Sequence, residues 1–560
     1  MVAAVLLVGV LGLGSRMVEL QVRQGSELAA AAFSEQVQQV TIPATRGLIF
    51  DDQGQVLAGN IPTYDFFAAP NQIPATQRVR DATLLAPVIN VPANKLLQLM
   101  AKRLDFVYLA KGEPIAVENR LKDLDLAGIG AIQGDTRSYG PGAVPGTSLA
   151  AAVLGFVNAN GQGQYGLEGF YNSQLAGHLG KESVIEDLEG DPVQLSSDPS
   201  TPAVDGRNLQ TSLDASTQAT VEKDLAAEVK KVNASSGTMI VMNVHTGAIV
   251  AWADDPSYDA NDYATEPVSL FKDQGVAELY EPGSLAKVVT FAGALNRNVI
   301  TPTTKIYDPG YVTVQGVRIH DWDLSYQGVI TTSWVLEDSL NVGAVHIEEM
   351  EGAKDFYDNM QAFGIGHATG IDLAGASNQP LPSLSSQQPL QLATSSFGQG
   401  FVITPIQMLA ALNTIANGGV WVEPHVVTAI TGGGKPTTYI KAKTRRVVTA
   451  ATAKTLTQMM VGVVDVPGAS GFEAKMGGVW YGEIAGKTGT ASVANAGGTY
   501  GNDTIDSFTE FFPASDPEYS MLCIIRDPQV PAAQQEGAYN AAPVSKLVAE
   551  EMISRFKLQP

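Results

Sequence analysis

The strand patterns in the second part of this chain lie at its two ends. An early pair at 238–243 and 248–253 flanks a turn at 244–247, which predicts a β-hairpin. Late strand patterns follow at 484–486, 508–512 and 521–526. Helical patterns fill the stretch between the two groups. Strands at both ends with helices between them predict an α+β domain whose sheet is completed by both termini.

The chain has 560 residues, which is more than one core accommodates, because single hydrophobic cores stop growing beyond about 250–300 residues. A linker-like segment rich in Ser, Asp and Pro at 196–202 precedes the α+β pattern. Before it come a strand and turn at 40–54, helical spacing over 75–125 and a loop-rich stretch at about 137–180. We therefore predict an N-terminal domain at 23–206 and the α+β domain at 207–560.

The first 22 residues are a candidate membrane anchor. Residues 1–14 are apolar and uncharged. Fourteen helical residues span only about 21 Å, which is shorter than a hydrocarbon core of about 30 Å. We favour a truncated anchor, whose first part lies outside this sequence, over a cleaved signal peptide or a buried helix. A signal peptide would need a basic start, which residues 1–3 lack. An anchor or a signal peptide would place the bulk of the chain outside the cytoplasm.

Composition disfavours several classes of function. Asp and Glu number 57 against 35 Lys and Arg, and a formal charge of −22 argues against a nucleic-acid partner. The six histidines lie far apart without metal-ligand spacing, so the sequence predicts no metal site. The one cysteine, Cys523, lies in an apolar run. It is predicted to be a buried strand residue, and no disulfide within the chain can form.

The segment at 280–291 carries the first chemical signal. Pro282 and Gly283 end one stretch, and Ser284 then begins an apolar helical pattern with Lys287 three residues later on the same side. A serine hydroxyl is a weak nucleophile until a base takes its proton, and a lysine kept neutral by burial can be that base. Ser-x-x-Lys alone is expected about twice by chance in a chain of this length.

Two further elements strengthen this signal. Ser339-Leu340-Asn341 lies on a helical pattern predicted over 333–350, and Lys487-Thr488-Gly489-Thr490 follows a strand pattern at 484–486. The three elements occur in the order known for serine acyltransferases that bind penicillin. Chance agreement of all three is about one in a thousand or less. Ser284 is therefore a candidate nucleophile because the other two elements follow it in the expected order.

The chain resembles the class B penicillin-binding proteins, the monofunctional transpeptidases of bacterial cell-wall synthesis. Further segments that carry the resemblance lie at 44–49, 166–168, 175–177, 363–366, 396–400, 404–405 and 416–419. The resemblance covers nearly the whole chain. It implies an α+β fold: a serine β-lactamase-like transpeptidase domain, with a sheet flanked by helices, on an elongated, loop-rich N-terminal pedestal. It implies no cofactor.

The resemblance also implies catalytic roles. Ser284 would be the acylated nucleophile and Lys287 its general base. Ser339 would relay a proton toward the leaving group. Asn341 would hold Lys287 and the substrate amide, and Lys487 would supply positive potential.

The same resemblance implies a substrate-binding strand. The hydroxyls of Thr488 and Thr490 would contact the substrate carboxylate, and the backbone N–H groups of Ser284 and Thr490 would form the oxyanion hole. The strand at 487–490 would pair with the bound peptide. We expect Gly489 to be needed because a side chain there would crowd an edge that must accept a ligand backbone.

Substrates and partners follow from the resemblance as well. Peptidoglycan stem peptides would be the substrates and β-lactams covalent inhibitors. A membrane glycosyltransferase of the shape, elongation, division and sporulation family, with other division proteins, would be the partner. The implied location is the cell membrane, with a single-pass anchor near the N-terminus and an extracytoplasmic catalytic domain. A compact pedestal and the segment 165–168 favour a division-type enzyme over an elongation-type one.

Three other functions are left open. A D,D-carboxypeptidase would pass the acyl group to water, and a β-lactamase would need a placed carboxylate for the same purpose and would lack so long a pedestal. A β-lactam sensor or scaffold would not need the intact catalytic elements. Whether an amine or water deacylates the enzyme distinguishes the transpeptidase from the carboxypeptidase.

Overall fold

The computed structural model describes residues 2–24, 37–186, 192–195, 201–494 and 500–560. The chain forms two compact units. The first comprises Met1–Gly47, Ser173–Arg207 and Gly432–Pro436, and the second comprises Leu48–Asn172, Asn208–Thr431 and Thr437–Pro560. Most of the predicted linker at 196–202 lies outside the described residues. The divisions at 1–22, 23–206 and 207–560 stay predictions from the sequence pattern.

The first unit contains a three-stranded antiparallel sheet. Its strand order is Val37–Ile42, Gly180–Glu186 and Pro192–Leu195. An N-terminal helix spans Val2–Val18 and continues as a π-helical turn, Glu19–Arg23. Within the described part of the chain, no helix is both long and apolar enough to cross a membrane.

The strand predicted at the start of 40–54 is divided. Residues 40–42 pair in the three-stranded sheet, and 43–48 form no strand. A mixed seven-stranded sheet contains only the end of the predicted strand and the return strand after the turn. The strands of this sheet are Ile49–Phe50, Val56–Ala68, Val107–Glu113, Ile129–Tyr139, Arg207–Thr211, Val427–Gly432 and Thr438–Tyr439. The Asp51 carboxylate accepts the backbone N–H groups of Gln53 and Gln55, and Gly54 adopts a φ of +86°. The chain thereby reverses so that Ile49 pairs with Ala58, as the turn pattern predicts.

Helices cover this sheet and complete a separate apolar core. They span Arg78–Ile89, Ala93–Met100 and Ile115–Lys122. Leu85, Leu96 and Met100 pack with Phe66 of the sheet. The helical spacing over 75–125 is thus confirmed at both ends, but the strand Val107–Glu113 interrupts it.

The second sheet is the one predicted from the strand patterns at 238–253 and 484–526. It is antiparallel, with the order Ile249–Asp255, Ser236–Asn243, Tyr519–Arg526, Tyr500–Phe512 and Ala485–Ala494. The early hairpin lies directly beside the last strand of the chain, so the sheet is completed from both ends as expected. Cys523 is fully buried in the middle strand.

Helices cover both faces of the second sheet. Ala215–Lys231 and Ala542–Phe556 pack on the face that carries Met521 and Cys523. The helix Pro405–Ala416 packs on the other face, where the Ser520 hydroxyl donates to Asn413 Oδ1. All twelve residues of this helix are buried. An α+β core of two helical layers around one sheet results.

The remaining elements connect these layers. The longer connecting helices are Lys287–Asn296, Thr332–Glu337, Asn341–Glu351, Ala353–Ala362, Pro389–Ser395 and Ala450–Asp465. Short helices are Ala151–Leu154, Gly166–Phe170, Asn172–Leu175, Gln274–Ala277 and Gly537–Asn540. Two-stranded pairs are Phe156–Val157 with Gly163–Gln164, Lys305–Asp308 with Gly328–Thr331, Tyr311–Val314 with Val317–His320, and Val420–Val422 with Thr444–Arg446.

Leu225→Ala should lower the free energy of unfolding by about 2–5 kcal/mol, because its side chain is fully buried between the helix Ala215–Lys231 and the sheet and its removal leaves a cavity. The matched control is Leu547→Ala, where a helical leucine is 54% exposed and the expected loss is below about 1 kcal/mol. Urea unfolding curves of the two variants give the comparison. Equal losses would contradict this packing.

Candidate active site

Ser284 lies in a short 3₁₀ turn at the start of a buried helix. The turn spans Gly283–Ala286 and leads directly into the helix Lys287–Asn296. Ser284 is partly exposed, whereas Lys287, three residues later, is fully buried. The hydroxyl therefore faces a solvent-accessible space while the amine is held in the protein interior.

Two glycines allow this turn to approach neighbouring backbone closely. Gly283 has a φ of +54°, and a Cβ there would lie 2.7 Å from the carbonyl oxygen of Thr490. Gly398 has a φ of +85°, and a Cβ there would lie 2.0 Å from the carbonyl oxygen of Gly283. The Thr290 hydroxyl also donates to the Ser396 carbonyl at 2.7 Å. The 396–400 segment thus supports the turn Gly283–Ala286, named the nucleophile turn below after the predicted role of Ser284, and this turn contacts the strand that carries Thr490.

Ser339 lies in a break between two helices. The single helix predicted over 333–350 is wrong here, because the structure has Thr332–Glu337 and then Asn341–Glu351. Ser339 adopts a φ of +57°, a left-handed conformation that is uncommon outside glycine and costs about 1–3 kcal/mol. The break turns Ser339 out of the helical path.

An acidic residue far away in the sequence sets the start of the second helix. One carboxylate oxygen of Asp321 accepts the backbone N–H groups of Asn341 at 2.6 Å and of Val342 at 3.0 Å. These are N–H groups that a helix start leaves without an intrahelical partner. Beside it, the Trp322 indole donates to the Asp338 carbonyl at 2.9 Å. The loop at 321–322 therefore fixes the backbone on both sides of Ser339.

Two lysine amines meet at Ser339. Lys287 Nζ donates to the Ser339 carbonyl and to Asn341 Oδ1, the latter at 2.9 Å, and it lies 3.4 Å from Ser339 Oγ. Lys487 Nζ donates to the same Oγ at 2.8 Å and to the Thr488 carbonyl at 3.0 Å. Both lysines are fully buried. The structure thus brings together residues from all three motifs.

Burial shifts the ionisation of these groups. It lowers the pKa of Lys287 to about 7, although the charges of Asp321 and Asp338 oppose the shift. Burial, together with the positive charge of Lys287, lowers the pKa of Lys487 well below its ordinary value. Burial and the neighbouring charges of Asp323 and Asp321 raise the pKa of Asp338 to about 6. A neutral lysine amine, able to accept a proton, is therefore available near pH 7.

The third motif lies on an edge strand. Residues 487–490 belong to Ala485–Ala494, which pairs with Tyr500–Phe512 on one side and has no strand partner on the other among the described residues. Lys487 is fully buried, Thr488 is nearly so, and Thr490 is exposed. The strand offers an open edge that an extended peptide can pair with.

The structure gives Gly489 a reason that the sequence did not predict. A Cβ at this position would lie 2.4 Å from Ser507 Oγ, 2.9 Å from Leu285 Cγ and 3.2 Å from the Pro282 carbonyl oxygen. These atoms belong to the neighbouring strand and to the nucleophile turn. Gly489 is therefore required for the turn to pack against the strand, and the ligand side of the edge is not where the contact arises.

A cavity of about 350 Å³ joins the predicted residues. Its lining includes Ser284, Ser339, Asn341, Thr488 and Thr490. Among the described residues, no group of three or more His, Cys, Asp or Glu is arranged to hold a metal ion. The cavity presents the Ser284 and Ser339 hydroxyls and one side of the edge strand to a substrate, and the two lysine amines lie behind it, bonded to Ser339.

Several lining residues were not predicted from the sequence. They are Trp322, Asp338, Ser470, Phe472, Glu473, Glu536 and Tyr539. Thr488 Oγ1 donates to Ser470 Oγ at 3.0 Å, which fixes the threonine hydroxyl. Two of these residues had a signal in the sequence: Trp322 lies in a polar and aromatic run at 320–323, and Asp338 directly precedes Ser339. The others reach the cavity only through tertiary folding.

Comparison with known protein families identifies the family to which this chain belongs. A family model described as the penicillin binding protein transpeptidase domain matches residues 237–550, which is more than half of the chain. A second model, described as the penicillin-binding protein dimerisation domain, matches residues 41–211. The chain belongs to the class B penicillin-binding proteins.

Relatives of this penicillin-binding protein match along nearly its whole length. Stage V sporulation protein D of Bacillus subtilis is 29% identical, over 99% of this chain and 86% of the relative. Peptidoglycan D,D-transpeptidase FtsI of Escherichia coli is 28% identical, over 94% of this chain and 86% of the relative. Penicillin-binding protein PbpB of Mycolicibacterium smegmatis is 29% identical, over 96% of this chain and 87% of the relative.

Solved structures agree with this assignment. A peptidoglycan synthetase from Bifidobacterium adolescentis superposes with a TM-score of 0.74 at 26% identity, covering 93% of this chain and 97% of that one. Penicillin binding protein 3 of Mycobacterium tuberculosis, complexed with aztreonam, superposes with a TM-score of 0.71 at 25% identity, covering 93% and 98%. The predicted α+β penicillin-binding fold is confirmed.

Family membership also establishes the type of reaction. This penicillin-binding protein is a serine-type peptidoglycan D,D-transpeptidase that is inhibited by β-lactams, as the sequence predicted. The family models identify the domain and not the individual side chains.

Gly489→Ala should slow acylation by a β-lactam by about 10–100-fold, because the new methyl group pushes the nucleophile turn away from the strand. The matched control is Gly477→Ala, where a Cβ meets nothing within 4 Å. Stopped-flow acylation with a fluorescent penicillin measures both rates. Equal rates in the two variants would contradict the close approach of turn and strand.

Proposed function

We propose that Ser284 is the acylated nucleophile and that Lys287 is its general base. Support comes from the buried Lys287 amine, whose pKa of about 7 leaves much of it neutral near pH 7. Its N–H groups donate to the Ser339 carbonyl and to Asn341 Oδ1, so the lone pair of the neutral amine remains for the Ser284 hydroxyl. The observation that carries the proposal is the buried Lys287 amine, which is hydrogen-bonded to Ser339 and Asn341, two residues that line the same cavity as Ser284.

Ser339 relays the proton toward the leaving group. Its hydroxyl lies 3.4 Å from Lys287 Nζ and 2.8 Å from Lys487 Nζ, which is the position of a bridge between the two amines. Asn341 holds Lys287 through its 2.9 Å hydrogen bond and also bonds the substrate amide. Lys487 supplies positive potential and orients the Ser339 hydroxyl.

The edge strand binds the substrate. The hydroxyls of Thr488 and Thr490 contact the substrate carboxylate, and the strand at 487–490 pairs with the peptide backbone. The backbone N–H groups of Ser284 and Thr490 form the oxyanion hole. Support comes from the close approach of Gly283 to Thr490 and from the presence of both Ser284 and Thr490 in the lining of one cavity.

The reaction then has two balanced steps. The Ser284 oxygen attacks the carbonyl carbon of the penultimate D-Ala while its proton passes to Lys287. That proton moves through Ser339 to the nitrogen of the last D-Ala, and the peptide bond breaks as the ester forms. An amine from a neighbouring strand next attacks the ester, and its proton returns by way of Lys287 to the Ser284 oxygen.

The names of relatives support a role in septal cell-wall synthesis. We favour this division-type role because the FtsI name of the Escherichia coli relative fits it. The partners then include a membrane glycosyltransferase of the shape, elongation, division and sporulation family and other division proteins. The substrate is a peptidoglycan stem peptide ending in D-Ala-D-Ala.

An N-terminal anchor in the cell membrane and an extracytoplasmic catalytic domain complete the proposal. The helix Val2–Val18 supports it, because its apolar side chains from residue 7 onward are largely exposed. Leu7, Val8, Val10, Leu11 and Leu13 are each at least 64% exposed. Such a surface is stable in contact with lipid or with another apolar partner.

Ser284→Ala should abolish covalent labelling by a fluorescent penicillin, because the ester oxygen is removed. The control is Ser386→Ala, which removes an exposed serine hydroxyl outside the cavity and should keep the labelling. Peptide mapping of the labelled wild type should identify the peptide that contains Ser284. Label retained in Ser284→Ala, or mapped elsewhere, would exclude this nucleophile.

The acylation rate should rise with pH and level off above a midpoint near pH 7. Neutral Lys287 is the reactive form, and a group with a pKa of about 7 is protonated below that pH, so the rate falls as the pH falls. The expected increase between about pH 6 and about pH 8 is about tenfold. His320→Asn, which removes the imidazole of the residue whose backbone carbonyl accepts from the Asn341 side chain, should keep the profile. A flat profile would argue against Lys287 as base.

A further inference from the structure

The catalytic cavity contains a carboxylate that the mechanism above leaves unused. Glu536 lines the same cavity as Ser284 and Thr490. The next residue contacts the substrate strand directly: the Gly537 N–H donates to Thr490 Oγ1 at 3.4 Å, and a Cβ at Gly537 would lie 2.7 Å from the Gly489 carbonyl oxygen. Glu536 is therefore adjacent to the part of the strand that faces the nucleophile.

Glu536 differs from the other two acidic residues of the cavity. The charge of Asp338 is coupled to Lys287 and Lys487, and Glu473 is exposed at the rim. Glu536 is half-buried, and burial is the cause that raises its pKa. Within the part of the chain that the structure describes, its carboxylate takes part in no hydrogen bond or ion pair.

The second half of the reaction needs such a group. It brings an amine to the acyl ester on Ser284, and two further amines, those of Lys287 and Lys487, are buried behind the cavity wall at Ser339. A primary amine is mostly ammonium near pH 7, and the lysine side of the cavity does not attract a cation. A partly desolvated carboxylate supplies the missing countercharge, and it accepts an N–H bond from the ammonium and from the free amine alike.

We propose that Glu536 binds the acceptor amine and holds it beside the acyl ester on Ser284, so that aminolysis is favoured over hydrolysis. Glu536 is then a specificity-determining residue of the second step. This inference rests on the proposed function of Ser284 and deepens it. It assigns the choice between amine and water to one side chain.

The test compares the wild type with Glu536→Gln, which keeps the shape and removes the charge. Each full-length protein is acylated with a thioester analogue of a D-Ala-terminated peptide. The acceptor is a stem-peptide fragment with a free side-chain amine, and its N-acetylated form serves as the blank. Chromatography of the products gives the ratio of aminolysis to hydrolysis. Glu473→Gln is the matched control, and Glu536→Asp tests rescue.

We expect Glu536→Gln to lower the ratio about tenfold or more, mainly through a higher KM for the acceptor. Labelling by fluorescent penicillin should stay within about twofold of the wild type, because the first step uses no acceptor amine. Glu473→Gln should keep the ratio, and Glu536→Asp should restore part of it.

Two results would overturn the inference. One is an unchanged ratio in Glu536→Gln with normal penicillin labelling, and the other is an equal loss of acylation and aminolysis, which would assign Glu536 to the donor or to the fold. Failure of the proposed function is a separate observation, since wild-type protein would then carry no label on Ser284.

Discussion

The catalytic domain is organised around two lysine amines that share one serine hydroxyl. Ser339 Oγ lies 2.8 Å from Lys487 Nζ and 3.4 Å from Lys287 Nζ, and both lysines are fully buried. Two like charges at this spacing in a medium of low dielectric repel each other strongly, so at least one amine is neutral near pH 7. Asp321 and Asp338 limit this effect through their negative charge. Burial therefore favours the neutral form of these lysines, which is the form that the proposed base requires.

That contact depends on three backbone segments that must approach within van der Waals distance. The nucleophile turn reaches the edge strand only because Gly283 and Gly489 have no side chain to obstruct it. Ser339 reaches both lysines only because the helical path breaks and its backbone becomes left-handed. The Asp321 cap and the surrounding packing hold this conformation against its cost. The positions of the side chains in the site thus depend on the backbone conformation as much as on the side chains themselves.

The sequence predicted the features that depend on neighbouring residues. It failed where a residue distant in sequence determines the local structure. Each motif has its residues within four positions, and the hairpin at 238–253 follows from its alternation and turn, so both could be found without the structure. The helix predicted over 333–350 fails because apolar spacing continues through Leu340 while Asp321, twenty residues earlier, starts a new helix at Asn341. The packing reason for Gly489 could not be predicted, since its approach to Leu285 and Ser507 exists only after folding.

The two half-reactions make opposite electrostatic demands on one cavity. The first brings a peptide that ends in a carboxylate, which is attracted to the side where Lys487 and the threonine hydroxyls lie. The second brings a cation after that carboxylate has left with its D-Ala. A cavity with amines near Ser339 and a half-buried carboxylate at Glu536 can meet both demands without changing shape, because departure of the first anion removes the competitor for the incoming ammonium. The chemistry fixes the order of the two steps, and the charges let one cavity accept the two substrates in turn.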